Sequence, residues 1–216
     1  MKPLLGLILS LFLFLAAPVT ATFHPLMRSV FPLAEVTTNE DGSFSVQNVC
    51  TMFSINNPKH YFMTAGHCVV DENGKPVGTL YADEEFQVPV TVKALNPTTD
   101  LAVVWANLPA ESLRLRPTPL EFEDPVRIPS FQLGQWTFML TRGEVTNPDV
   151  QPRGAHKPYL LHSAYACGGA SGSPILDEGD RVVSVDQIAV RFLEPCGGVG
   201  GGATFKQMQA FKEWFE

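Results

Sequence analysis

Three short strings hold the residue types that nucleophilic catalysis needs. The first is Cys167-Gly168-Gly169-Ala170-Ser171-Gly172-Ser173-Pro174. A serine among glycines is by itself most often a loop residue, but glycine also suits chemistry. A tetrahedral intermediate needs preorganised N–H donors aimed at its oxyanion, and glycine lets the backbone turn tightly enough to present them. Gly169 N–H and Ser171 N–H are the natural pair, with Ser171 Oγ as nucleophile. A serine hydroxyl needs a base to take its proton, and the base needs an acid to orient it. Upstream lies Thr64-Ala65-Gly66-His67-Cys68, a histidine at the end of an apolar strand. Next comes Thr99-Asp100-Leu101-Ala102-Val103-Val104, an aspartate opening a strongly apolar strand. A carboxylate so placed is costly to bury unpaired, and an imidazole N–H is a suitable partner. Without His67 and Ser171, Asp100 would read as a turn cap. The other histidines (His24, His60, His156 and His162) read as surface or loop residues.

The elements that must position these groups read as strands. Val49–Ile55, Tyr61–Ala65, Gln87–Ala94, Leu101–Trp105, Trp136–Leu140, Tyr159–Leu161 and Arg181–Phe192 carry β-branched and aromatic residues. Between them stand turn signals: Asn-Asn-Pro at 56–58, Glu-Asn-Gly-Lys-Pro at 72–76, and Asn-Pro at 96–97 and 147–148. Closely spaced short strands point to an all-β sandwich or barrel. The proline-rich stretch Pro109 to Pro129 divides the chain into two similar halves and is the candidate linker. Only Gln207–Phe215 looks helical, with Met208, Phe211 and Phe215 at spacings of three and four.

Residues 1–21 have the layout of a signal peptide: Lys2, an apolar run from Leu4 to Ala17, and small residues up to Ala21. That run of 14 residues is short for a membrane anchor. The expected product is secreted or periplasmic, with no membrane span. Losing Lys2 moves the formal charge from −7 to −8. An acidic surface repels phosphate backbones and argues against nucleic acid. Four cysteines, Cys50, Cys68, Cys167 and Cys196, all fall in the exported part. An even number in an oxidising compartment suggests two disulfides, with three possible pairings. Zinc is disfavoured, because no Cys-x-x-Cys exists and His67-Cys68 is the only close Cys/His neighbour pair.

Together the strings resemble the chymotrypsin/trypsin-like serine peptidases. Thr-Ala-Gly-His-Cys resembles their Thr-Ala-Ala-His-Cys, Asp-Leu-Ala-Val-Val their Asp-hydrophobic-Ala motif, and Gly-Ala-Ser-Gly-Ser-Pro their Gly-Asp-Ser-Gly-Gly-Pro. The order His, Asp, Ser is also that family's order. No histidine follows Ser171, so the α/β-hydrolase order is impossible. The subtilisin order could use Asp41, but the all-β pattern argues against that fold. The resemblance implies two six-stranded antiparallel Greek-key β-barrels with a short C-terminal helix. Residues 22–116 would form the barrel carrying His67 and Asp100, and 117–216 the barrel carrying Ser171. It also implies the disulfides Cys50–Cys68 and Cys167–Cys196, an oxyanion hole of Gly169 and Ser171 N–H, and hydrolysis of peptide bonds through an acyl-enzyme. Protein or peptide substrates, a monomer, and no metal or cofactor complete the expectation.

The chain also departs from that family. Its zymogens free an Ile-Val-Gly-Gly-like N-terminus that pairs with the aspartate just before the nucleophile; here that position is Ala170 and no such string follows residue 21. An oxyanion loop that forms without N-terminal insertion is expected. The Gly-Ser-Pro ending is similar to bacterial glutamyl endopeptidases, which carry asparagine at the Ala170 position. Tyr165, six residues before Ser171, stands where trypsin keeps its specificity aspartate, and Asp186 or Glu194 could supply an acid from the neighbouring strand. Neither lysine/arginine nor glutamate preference follows, and a small or apolar side chain is the expected substrate feature. The rival reading is a catalytically inactive member that binds a partner through the same barrels; such members usually lose a triad residue. A disulfide-bonded β scaffold with a coincidental triad is a further rival, one that leaves the Cys167–Ser171 spacing to chance.

Overall fold

The computed structural model describes residues 24–71, 73–134, 136–190 and 196–216. The signal-peptide segment, Phe192 and Glu194 lie outside the described residues. Six strands form the first half: β1 (Val30–Thr38), β2 (Phe44–Asn56), β3 (Tyr61–Ala65), β4 (Thr79–Tyr81), β5 (Pro89–Asn96) and β6 (Leu101–Ala106). They close into a barrel in the order β1-β2-β3-β6-β5-β4, all neighbours antiparallel. The second half holds β7 (Arg114–Leu115), β8 (Pro125–Phe131), β9 (Phe138–Val150), β10 (Tyr159–His162), β11 (Ala166–Cys167), β12 (Pro174–Leu176), β13 (Arg181–Val190), β14 (Cys196–Gly197) and β15 (Val199–Gly202). Its sheet runs β12-β8-β9-β10-β15-β13 and closes through β12–β13, while β7 adds to β13 in parallel. Two six-stranded antiparallel barrels and a short helix are thus the architecture, as expected. The small parallel strand between them was not foreseen.

The continuous apolar reading of β6 follows from burial on both faces. Ala102 and Val104 point into the first barrel with Leu33, Met52 and Phe62. Leu101 and Val103 point the other way, into a cluster with Phe53, Met63, Val182, Val185 and Met208 that joins the barrels. The second barrel has its own interior of Val126, Ile128, Val145, Leu160, Ile175 and Val183. The strand ends that carry the candidate site therefore hang from three packed cores.

Local details differ from the sequence reading. The presumed linker is shorter than Pro109 to Pro129, because β7 lies inside it and β8 starts at Pro125. Pro129 is tolerated within β8 because that strand meets β12 only at Arg127, leaving its other edge without a ladder to serve. Asn147-Pro148 is no turn; it sits within β9 where the register to β10 slips. The helix begins earlier, as α1 (Phe205–Gln209), because Thr204 and Gln207 form a reciprocal capping box. A separate 3-10 turn, Lys212–Phe215, follows it.

Candidate active site

Ala65 and Asn96 both pair with Leu101, so the exits of β3 and β5 meet the start of β6 at one end of the first barrel. His67 follows β3 on a 3-10 turn, Gly66–Cys68, and Asp100 closes the β5–β6 turn with φ +53°. Gly66 N–H donates to the Asp100 carbonyl at 2.9 Å. A Cβ at Gly66 would stand 3.0 Å from Asp100 Oδ1, so glycine lets the two turns touch. His67 N–H donates to Oδ1 at 2.7 Å, and the ring Nδ1 lies 3.0 Å from Oδ2 and 3.2 Å from Oδ1. Burial pushes the Asp100 carboxyl up, but the His67 hydrogen bond and charge and the Lys157 ammonium outweigh it, leaving it below the ordinary carboxylate value. An ionised carboxylate only accepts, so Nδ1 carries the proton and Nε2 is left as the acceptor. His67 and Asp100 line an open cleft of about 550 Å³, shared with Leu95, Pro97, Glu35 and Asp71.

Ser171 reaches this place from the second barrel, on the loop between β11 and β12. Its hydroxyl makes no hydrogen bond to His67 among the described residues, a contact that often tightens only when substrate binds. The loop's position is set by its backbone. Thr51 N–H on β2 donates to the Ser171 carbonyl at 2.8 Å, and Cys68 Sγ, next in chain to His67, lies 3.8 Å from the same oxygen. Gly172, with φ +85°, packs so closely that a methyl group there would strike the Thr51 carbonyl oxygen and the Thr64 hydroxyl. The Thr51 hydroxyl donates to the Gly169 carbonyl at 2.9 Å and accepts from Phe131 N–H at 2.9 Å. Thr51 is fully buried, so these bonds are made away from water.

The two candidate oxyanion donors are aimed by the carbonyls of their own peptide planes. Leu133 N–H holds the Gly168 carbonyl at 2.6 Å, and Ser173 N–H holds the Ala170 carbonyl at 2.9 Å. In a trans peptide the N–H points opposite to the C=O, so both anchors turn Gly169 N–H and Ser171 N–H to the other side. Among the described residues neither N–H donates to a protein acceptor. Ala170 is buried within this loop.

Comparison with known proteins bears on the whole arrangement. The sequence of residues 50–185, more than half of the chain, matches the trypsin-like peptidase domain. The chain belongs to that family. It is a serine-type peptidase with a trypsin-like fold. Among solved structures it is similar to the active form of the Rv3671c protease from M. tuberculosis, with a TM-score of 0.64 and 20% identity over 85% of this chain and 78% of that one. It is also similar to the HtrA-type protease AlgW, carrying S227A and solved with a tripeptide, with a TM-score of 0.69 and 16% identity over 88% of this chain and 62% of that one. At such identity these likenesses speak for the fold. No curated protein matches the sequence.

Both disulfides of the peptidase are formed, Cys50–Cys68 across the His67 turn and Cys167–Cys196 across β11–β14. Tyr165 is half exposed, just before β11. Asp186 is 2% exposed, and its carboxylate lies 3.1 Å from His162 Nε2. Burial pushes this carboxyl above its ordinary value despite the His162 hydrogen bond. His162 is therefore no surface or loop residue: it is fully buried on β10, its ring covered by Gly200 of β15, where any side chain would collide. Sequence reading also missed Thr51, Lys157 and Gln187. Nothing local marks them, because each meets the site across the barrel interface.

Proposed function

We propose that this peptidase is an exported endopeptidase working through a Ser171–His67–Asp100 triad and an acyl-enzyme. The observation that carries this reading is the bidentate contact of Asp100 with His67, placed beside a Ser171 loop fastened to the same strand end. His67 Nε2 takes the Ser171 proton as Oγ attacks a peptide carbonyl, and returns it to the leaving amine. Asp100 holds the imidazole tautomer and steadies the imidazolium. Gly169 and Ser171 N–H stabilise the oxyanion, and water then releases the acyl group. Because both donor planes are anchored within the described fold and Ala170 stands in place of an aspartate, the hole needs no inserted N-terminus. Two disulfides suit an oxidising compartment and support export.

The test is labelling by a fluorophosphonate probe with peptide mapping of the adduct. Wild type should be labelled at Ser171, and Ser171→Ala should lose labelling and at least about four orders of magnitude in peptide hydrolysis. Unlabelled, folded wild type sinks the proposal and favours a binding protein built on the same barrels.

A further inference from the structure

Lys157 belongs to the connection between β9 and β10 of the second barrel, yet its side chain ends against the first. Only 9% of that side chain is exposed. Its Nζ donates to the Thr99 carbonyl at 2.7 Å and to Gln187 Oε1 at 2.9 Å, and lies 3.6 Å from Asp100 Oδ2. Gln187, on β13, donates its Nε2 to the same Thr99 carbonyl at 2.9 Å and to the Asp100 carbonyl at 2.6 Å. Two second-barrel side chains thus grip consecutive carbonyls of the turn that presents Asp100. Asp100 sits at φ +53°, in the left-handed region that aspartate tolerates better than most residues with a Cβ, so these contacts fix a turn conformation few neighbours share.

We propose that Lys157 is a positioning residue that holds the Asp100 turn and sets, by its charge, the pH range in which His67 acts as base. The proposal rests on the triad reading above. With a neutral imidazole, Asp100 and Lys157 balance each other. Protonation of His67 then adds a second cation to a single carboxylate. Without the ammonium, the imidazolium would have Asp100 to itself and would persist to higher pH. Burial lowers the Lys157 pKa and the Asp100 carboxylate offsets only part of that, as expected for a desolvated ammonium with one counter-ion.

Other groups face this pair. Glu35 and Asp71 line the cleft beside His67, and Tyr159 on β10 lies with its ring 5.2 Å from Lys157 Nζ. Asp186 on β13, paired with His162, lies near enough for the His67 charge to act on its carboxyl. All of them remain when Lys157 is replaced, so the comparison of uncharged variants with the charged Lys157→Arg reads the ammonium.

The experiment measures the rate of fluorophosphonate labelling against pH for wild type, Lys157→Met and Lys157→Arg. The low-pH limb of Lys157→Met should move up by about one pH unit, and Lys157→Arg, which keeps the charge, should return it toward wild type. If Lys157→Met does not fold, the limb is read from Lys157→Gln, which keeps donors for the Thr99 carbonyl and must show the same movement. A limb that stays at the wild-type midpoint in the uncharged variant, or that moves equally in Lys157→Arg, overturns the role of Lys157 while leaving the triad standing. Wild type that is not labelled at any pH overturns the triad reading and this proposal with it.

Discussion

Replacing Thr51 by valine removes one oxygen and keeps the side chain's shape, which makes it a sharp probe of how the Ser171 loop is held. The hydroxyl bridges Gly169 on that loop and Phe131 at the end of β8, at 2.9 Å to each. Thr51→Val deletes two neutral hydrogen bonds, each worth about 0.5–1.5 kcal/mol net, and strands a carbonyl and an N–H in a dry place at about 1–3 kcal/mol apiece. These penalties overlap, so the expected loss of unfolding free energy is about 2–4 kcal/mol, measured by denaturant titration with the disulfides intact. The effect on chemistry should be separable from the effect on stability. Gly169 supplies both the carbonyl that Thr51 holds and the proposed oxyanion N–H, so loosening the first blurs the aim of the second. Complete loss of one oxyanion donor costs about 100- to 1,000-fold in rate, and partial misalignment should cost about tenfold. The assay is kcat on a peptide substrate well below the unfolding transition, alongside KM. A Thr51→Val variant with wild-type kcat and wild-type stability would show that the loop is held by something else.

Two further substitutions test neighbouring parts of the argument. Gly172→Ala would press a methyl group onto the Thr51 carbonyl and the Thr64 hydroxyl at a φ of +85°; the expected cost is about 2–5 kcal/mol, with fluorophosphonate labelling abolished, and an active, stable variant would contradict the close docking. Asp186 has a folded pKa raised above the ordinary carboxylate value, chiefly by burial. The native state therefore holds the proton more tightly than the unfolded chain, and this group's contribution to stability falls as pH rises through that window. Asp186→Asn removes the titration, so thermal melts from about pH 4 to pH 8 should show wild type losing ground to the variant as pH rises. A gap moving the other way would mean that the His162 pairing outweighs burial.

What could be read from the sequence and what could not divides along the range of the interactions. β3 and most of β6 were legible because their apolar runs are set by burial on both faces. The turn at Asn147-Pro148 was misread because an Asn-Pro pair marks a local preference, and β9 overrides it through its partners with a slip in register. The length of α1 depended on Thr204, whose capping role shows only when Gln207 is seen to answer it. At the site, His67, Asp100 and Ser171 stand in strings where glycine and apolar neighbours betray their setting. Thr51 stands in an ordinary strand and Lys157 in an ordinary loop. Their work exists only once two barrels face each other.

That division bears on how the site is kept in shape. In zymogens of the chymotrypsin/trypsin type, the nucleophile loop is locked from its own side, by a new N-terminus that pairs with the residue before the serine. Here that residue is Ala170, whose buried methyl side chain can form no ion pair. The loop is held instead from across the interface, by Thr51 N–H on the Ser171 carbonyl, the Thr51 hydroxyl on the Gly169 carbonyl and the seat of Gly172 against Thr64. Lys157 and Gln187 return the favour in the opposite direction, from the second barrel onto the Asp100 turn. Each barrel thus fastens the other's contribution, and the Phe53, Met63, Leu101 and Val185 cluster that joins them fixes the distance. Separation of the barrels would loosen both halves at once. Activity should therefore fail together with the interface, at a denaturant concentration at or below global unfolding, rather than depend on a cleavage event at the N-terminus.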